Sequence, residues 1–390
     1  MSNATDNTTG ASEKGVVVLG KYVDALYLSV RGKPKDGVLE ALARKKPSSP
    51  QPQFFGEQTA LIDVPGIPGG PLNVLSQSRG QYEFSIHNED LYLELTRSAN
   101  LPALIIQFRS HLLYEQDFHG LQEIVDTLAS FFLESGFSTL VSRFDLALDF
   151  QAEGWQLGHI NEADIITRAR TSQIYRQRSQ TQTLTIGQPK RGFQVQVYNK
   201  AQEIEQSGKA WMIDVWRESG RYNESLAVWR VEYRFQRERL RNHGIDTIAD
   251  LRRSMGDLVR SVVGDEGISP WIRFASPNTR GRKQDRRPAA RWWEEIRGAS
   301  IEELPTSGLS IENPQRETNL KQDLAMFFAY LERIVAQWVM SENLHLHEAS
   351  LDELMDRLKT LYRKHLDSKG LDLPETIRAR MRKINRTSYF

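Results

Sequence analysis

The sequence predicts an α+β fold: a mostly antiparallel sheet with helices packed on one face, plus a helical C-terminal extension. Three observations carry that expectation. Strand-like segments follow one another over residues 80–110, a helical period over 119–136 leads straight into another strand, and beyond about residue 275 the pattern turns helical. Residues 1–15 read as a disordered tail, 16–275 as the body, and 276–390 as an arginine-rich linker with a helical C-terminal region.

The elements follow in order. VVVLGKYVDALYLSV (16–30) is β-branched and alternating, hence a strand, whereas ALIDVPGIPGGPLNVLSQ (60–77) is strand-like but broken by Gly and Pro. GQYEFSIHN (80–88), LYLELTR (91–97) and ALIIQFRS (103–110) read as consecutive strands. HGLQEIVDTLASFFLESG (119–136) has apolar residues at helical spacing, with Gly136 placed to end the helix. VSRFDLALDF (141–150) is the next strand, and HINEADIITRA (159–169) reads as a helix. QTQTLTIG (180–187) and GFQVQVYNK (192–200) form a hairpin around Gln188–Arg191, and KAQEIEQSGK (200–209) a short helix ending at Gly208. LAVWRVEYRFQRERLRNHG (226–244) starts as a strand and becomes helical; TIADLRRSMGDLVRSVVG (247–264) is a helix. The tail adds SIEELP, then helices over 320–340, 350–368 and 374–385, with Ser350 and Glu353 as a capping box.

Composition excludes several classes. No run of about 18 uncharged apolar residues suggests a membrane span. The polar N-terminus lacks a signal-peptide core, and the absence of cysteine removes disulfides and thiolate metal sites. A cytoplasmic protein is expected. The net charge of +1 does not mark a nucleic-acid binder, so local runs matter more. TRGRKQDRRPAARWW (279–293) and EYRFQRERLRNH (232–243) are the basic runs. The ordinary reading of either is a solvated face.

In VSRFDLALDF, alternation puts Arg143, Asp145, Ala147 and Asp149 on one face and Phe144, Leu146 and Leu148 on the other. The same oddity recurs. Gln196, Tyr198 and Lys200 form one row, and Arg230, Glu232 and Arg234 another, while Asp24 breaks an apolar strand. Such rows are normal when they face water. Their chemical mix suggests more: Asp145, Asp149 and Glu232 are oxygen donors suited to Mg²⁺ or Mn²⁺. Asp145 and Asp149 stand about 13 Å apart at Cα, too far to be equal ligands of one ion. Lys200 and Arg143 suit a phosphate, and Tyr198 a nucleophile. Together they suggest metal-assisted phosphoryl transfer on a nucleic-acid backbone.

RFDLALDF, VYNKAQEI and WRVEYRF, in this order and spacing, resemble the Rep_trans replication-initiation family, the rolling-circle initiators of plasmids and phages and the related relaxases of conjugative elements. VDALYLSV, and PWIRFASP followed by the arginine-rich stretch and RWWEEI, extend the resemblance over residues 16–297. It implies a mobile-element initiator that binds origin DNA, single-stranded or as a hairpin. Such a protein nicks and rejoins one strand by metal-dependent transesterification, keeping the 5′ phosphate on a tyrosine. Asp145, Asp149 and Glu232 become the metal candidates, and Tyr198, Lys200 and Arg143 the catalytic ones. Arg230, Arg234, Arg280, Arg282, Lys283, Arg286 and Arg287 become the DNA-binding candidates. A homodimer and a host helicase are further partners it implies.

One position departs from the family pattern. Many members carry the tyrosine just before an Ile/Val-Gly pair, and here QTLTIG has Thr185 there. A threonine hydroxyl is a far weaker nucleophile without a dedicated base. Tyr198, on the polar row with Lys200, takes the role ahead of Tyr175. The alternatives are a non-catalytic DNA-binding repressor or accessory protein that kept the fold and lost the tyrosine, and a nuclease that activates water. His345-Leu-His347 sits in the helical tail and reads as chance, and PGIPGG (65–70) as a plain loop without a following GK[ST].

Overall fold

Asp24 is skipped in the ladder between the two longest strands, at one of three register shifts there. In the computed structural model, which describes residues 15–48, 60–177, 180–276, 287–307 and 351–370 with isolated positions at 331–340 and 372–374, the elements run in the following order. The chain opens with β1 (Val17–Arg31), α1 (Asp36–Lys45), β2 (Leu61–Ile62), β3 (Leu72–Val74), β4 (Phe84–His87), β5 (Leu91–Leu95) and β6 (Leu104–Phe108). After α2 (Ser110–Glu115) and α3 (Phe118–Phe132) come β7 (Ser138–Gln151), β8 (Ile165–Thr167), β9 (Ser172–Gln177), β10 (Gln180–Gln188) and β11 (Phe193–Asn199). Then follow α4 (Lys200–Ser207), α5 (Trp211–Glu218), β12 (Trp229–Gln236), α6 (Arg237–Arg241), α7 (Ile248–Val263), β13 (Ile272–Phe274) and α8 (Arg291–Ile301).

Eleven strands form one sheet in the order β2-β3-β4-β5-β6-β1-β7-β12-β11-β10-β9. Each neighbouring pair is antiparallel. β8 and β13 pair separately. The α+β class with a large antiparallel sheet is therefore the fold of this chain.

One face of the sheet is apolar. Phe144, Leu146 and Leu148 of β7, Val231, Tyr233 and Phe235 of β12, and Val195 and Val197 of β11 are all buried there. Leu121, Val125, Leu128 and Phe132 of α3, Leu251, Leu258 and Val262 of α7, and Trp293 and Ile296 of α8 belong to the same core. Each helix presents its apolar stripe, as the helical period requires. A second, smaller apolar cluster joins Leu19, Ile204, Met212, Trp216 and Val228, and it seats α4 and α5 near one end of the opposite, polar face.

Several expectations change. Residues 159–169 are not helical: two 3₁₀ turns lead into β8, where Ile165, Ile166 and Thr167 pair with β13. β-branched residues fit a pleated surface better than a helix. The helix expected to run to Gly136 stops at Phe132, because Leu133 bridges Pro34 and the Glu134 N–H donates to the Lys33 carbonyl. The hairpin β10–β11, the short helix closed by Gly208 in the left-handed conformation, and the strand-to-helix change at 236–237 appear as the sequence suggests. α1, α2, α5, α8, β9 and β13 have no counterpart in the sequence reading, and SIEELP (300–305) is helical only as far as Ile301, where α8 ends.

The chain divides into a unit of residues 1–310 and a unit of residues 311–390. In the second, the described part is essentially α9 (Leu351–Ser368), where a helix was expected. The tail at 1–14, the Ser350–Glu353 capping box, His345-Leu-His347, most of 320–340 and the helix at 375–385 lie outside the described residues.

Candidate active site

The ladders align the polar rows across five strands. Glu232 pairs with Ala147 and Gln196, Arg230 with Asp149 and Tyr198, and Arg234 with Asp145 and Gln194. All of these side chains therefore share one face. β1 completes the row: Tyr22 lies opposite Ala147, Ala25 opposite Asp145, and Tyr27 opposite Arg143.

The face holds two separate charge clusters. In the first, Arg230 donates from Nε and Nη2 to the two oxygens of Asp149 at 2.6 and 2.8 Å, and from Nη1 to Asp24. Trp216 Nε1 adds a donor to Asp149 Oδ2 at 2.9 Å. Arg230 and Asp149 are buried, so this is an interior ion pair with its geometry closed by an indole. Burial pushes the Asp24 carboxyl up, but Arg230 and then Lys200 and Lys209 outweigh it and hold it below its ordinary value.

In the second cluster, Arg143 Nε donates to Asp145 Oδ1 at 2.9 Å and Nη2 to Oδ2. Arg234 Nε donates to Glu232 Oε1, and Tyr198 Oη to Glu232 Oε2 at 2.9 Å. Burial pushes the Asp145 carboxyl up to about 8; Arg143 opposes this, and Glu232 adds to it. Burial, followed by Glu232, raises the Tyr198 phenol well above its ordinary range. With its hydroxyl donated to Glu232, this phenol is poorly placed as a nucleophile.

Lys200 begins α4 rather than continuing the strand row. It is buried, paired with Glu203, with its Nζ 5.9 Å from the Tyr198 ring centre. Burial, reinforced by Arg230, lowers its pKa. Thr185 is also buried, in the Glu232 row two strands away, accepting from Gln196 Nε2 at 3.1 Å. Tyr175 is 61% exposed on the edge strand β9.

The second cluster opens into a cleft of about 490 Å³, whose lining includes Tyr27, Arg109, Arg143, Lys209, Trp211 and Glu232. Arg109, Lys209, Trp211 and Tyr27 escaped the sequence reading. Arg109 lies just past β6, Lys209 between α4 and α5, and Trp211 at the start of α5, where no strand period marks them, and Tyr27 is hidden by a break in alternation. His111 and Trp211 meet edge to face at 5.1 Å, leaving an aromatic wall on the cleft.

The DNA-binding candidates divide. Arg234 lines the cleft. Arg230 is interior, and Arg287 is buried against Asp164 at 2.6 Å, so neither presents its guanidinium to solvent. Arg280, Arg282, Lys283 and Arg286 lie outside the described residues.

Asp145 and Glu232 would be the two hard oxygen donors offered to a divalent ion here. Mg²⁺ commonly takes one or two protein carboxylates and completes its shell with water and phosphate oxygens. The like-charge repulsion that Glu232 exerts on Asp145 is what such an ion would relieve. The donor chemistry would suit such an ion, with all four oxygens now accepting from Arg143, Arg234 or Tyr198. Asp149 stands apart, and among the described residues no three His, Asp or Glu side chains gather as a metal-binding group.

No family model and no curated protein matches the chain. Among solved structures, a rolling-circle replication initiator protein from Geobacillus stearothermophilus is similar, with 14% identity over 74% of this chain and 97% of that chain, at a TM-score of 0.42. A likeness this distant carries no argument about activity.

Proposed function

We propose that the chain is a replication initiation protein of a mobile element, which binds single-stranded origin DNA and nicks and rejoins it by transesterification. One observation carries this reading. Glu232, Asp24, Arg143, Arg234 and the Tyr27 phenol line an open cleft on one face of the sheet, next to an aromatic wall, with Asp145 held behind them by Arg143.

Each part has a task. Arg143 and Arg234 fix the carboxylates of Asp145 and Glu232 and supply positive charge where a phosphate would enter. Tyr198 orients Glu232 through its hydrogen bond, and the Arg230–Asp149–Trp216 group holds β7, β12 and α5 in register beneath it. A Mg²⁺ or Mn²⁺ ion held by Asp145 and Glu232 would supply charge neutralisation at the scissile phosphate. Lys209 and Arg109 draw in the backbone, and the His111–Trp211 wall suits an unstacked base.

The test is a library of single-stranded oligonucleotides labelled at the 3′ end, incubated with protein and Mn²⁺ and resolved on a denaturing gel. Label retained on the protein, and lost with Asp145→Asn, is the expected result. Binding without cleavage would favour the non-catalytic reading, which Thr185 supports. Cleavage with no adduct would favour a hydrolase.

A further inference from the structure

We infer that Tyr27 of β1, rather than Tyr198 or the residue at 185, supplies the hydroxyl that attacks the scissile phosphate; this rests on the strand-nicking reading above. Four observations lead there. Tyr27 lies directly across the ladder from Arg143, with the guanidinium 4.8 Å from its ring centre and Nη1 3.4 Å from its hydroxyl. Asp145 is its diagonal neighbour, opposite Ala25.

Tyr27 also stands on a ridge. The cleft of about 490 Å³ and a second recess of about 290 Å³ share Tyr27, Phe108 and Arg109 in their linings. A single strand running from one recess to the other passes its backbone over that ridge, with a nucleotide on either side. Arg109 forms no ion pair with another described residue, so its charge is available to the phosphate there.

The competing hydroxyls are engaged or remote. The Tyr198 hydroxyl is committed to Glu232, and Tyr198 lines neither recess. In the strand order, β11, β10 and β9 lie three, four and five places from β1. At about 4.8 Å per strand, this sets Tyr198, Thr185 and Tyr175 roughly 14, 19 and 24 Å away.

The step balances without any further reagent. The Tyr27 oxygen bonds to phosphorus, the P–O3′ bond breaks, the phenol proton passes to water, and the leaving 3′ oxygen takes up a proton. The number of phosphoester bonds is unchanged, so the reverse attack by a 3′ hydroxyl reseals the strand.

The experiment maps the adduct on the full chain. After reaction with the 3′-labelled library and Mn²⁺, trypsin releases YVDALYLSVR (22–31), GFQVQVYNK (192–200) and TSQIYR (171–176) as separate peptides, and fragment spectra locate the nucleotide. The expected result is modification at Tyr27. Tyr27→Phe should abolish the adduct at least 100-fold while single-strand binding, measured without metal, stays within about twofold. Tyr198→Phe, which removes the hydrogen bond that orients Glu232, should slow the reaction while the adduct still maps to Tyr27. Modification at Tyr198, Tyr175 or Tyr22, with nicking intact, overturns Tyr27 and leaves the strand-nicking reading standing. No nicking by the unmodified protein overturns both.

Discussion

Arg230 is the side chain on which the polar face depends most. It is buried, and it satisfies two carboxylates at once, Asp149 through a bidentate pair and Asp24 through its remaining nitrogen. Removing one partner of a buried pair leaves an uncompensated charge, which costs about 3–5 kcal/mol. Arg230→Ala is therefore expected to lose that much stability in urea unfolding, as is Asp149→Ala. Asp145→Ala should lose less, about 1 kcal/mol, because Arg143 is 23% exposed and can turn to water. Equal losses at 145 and 149 would sink the distinction between a structural and a functional acid. His243 offers a second residue-scale test. Burial, and then Arg239, push its imidazole down from 6.5 to about 4, opposed by the Arg239 carbonyl and Asp257. Its Nε2 is buried with no hydrogen-bond partner among the described residues. The unfolded chain therefore binds the proton more readily, and the stability is present above pH 6.5 and lost as the pH falls from there towards about 4. His243→Gln should flatten the melting temperature profile over that window relative to the parent. Parallel profiles would refute it.

At the scale of elements, the bulge in β1 decides what the site contains. Val23 pairs with Leu146 and Ala25 with Asp145, so Asp24 is skipped. The skip reverses the alternation: Tyr22, Asp24 and Tyr27 all reach the polar side, although their spacing would divide them in a regular strand. Deleting Asp24 removes the extra residue, so Val23 and Ala25 become neighbours and Leu26 stays opposite Phe144 on the apolar face. What is lost is the carboxylate that accepts from the third nitrogen of Arg230. The deletion variant is expected to keep a cooperative thermal transition at a melting temperature close to that of Asp24→Asn, which loses the same charge. Loss of the transition in the deletion variant alone would show that the bulge itself is needed. The same irregularity explains what was legible beforehand. The rows of β7, β11 and β12 follow strict alternation, so periodicity alone puts Asp145, Glu232 and Tyr198 each on the polar row of its own strand, and the pairing brings the rows onto one face. Tyr27 was not, because no local signal marks a bulge that exists only through pairing with β7. Lys200 was placed with the Tyr198 row because Asn199, which caps α4 by accepting from the Gln202 N–H, is an equally ordinary strand residue. Residues 159–169 failed as a helix for a related reason: β8 is held by β13, about a hundred residues later.

For the whole molecule, the formal charge of +1 means that affinity for a polyanion must come from where the cations stand, not from their number. Most arginines of the polar face are already committed to carboxylates: Arg143 to Asp145, Arg230 to Asp149 and Asp24, and Arg234 to Glu232. Arg109 and Lys209 face the cleft without an ion pair among the described residues. Backbone binding releases counterions, and for single strands each neutralised phosphate contributes about 0.7 to the slope of log affinity against log salt. The double variant Arg109→Ala/Lys209→Ala should therefore lower that slope by about 1.4, with little dependence on oligonucleotide sequence. Arg230→Lys, if it folds, should leave the slope unchanged, since its charge is spent inside the protein. Fluorescence anisotropy across a salt series without divalent metal measures both. An unchanged slope in the double variant would move the DNA path away from the cleft, to basic residues elsewhere in the chain.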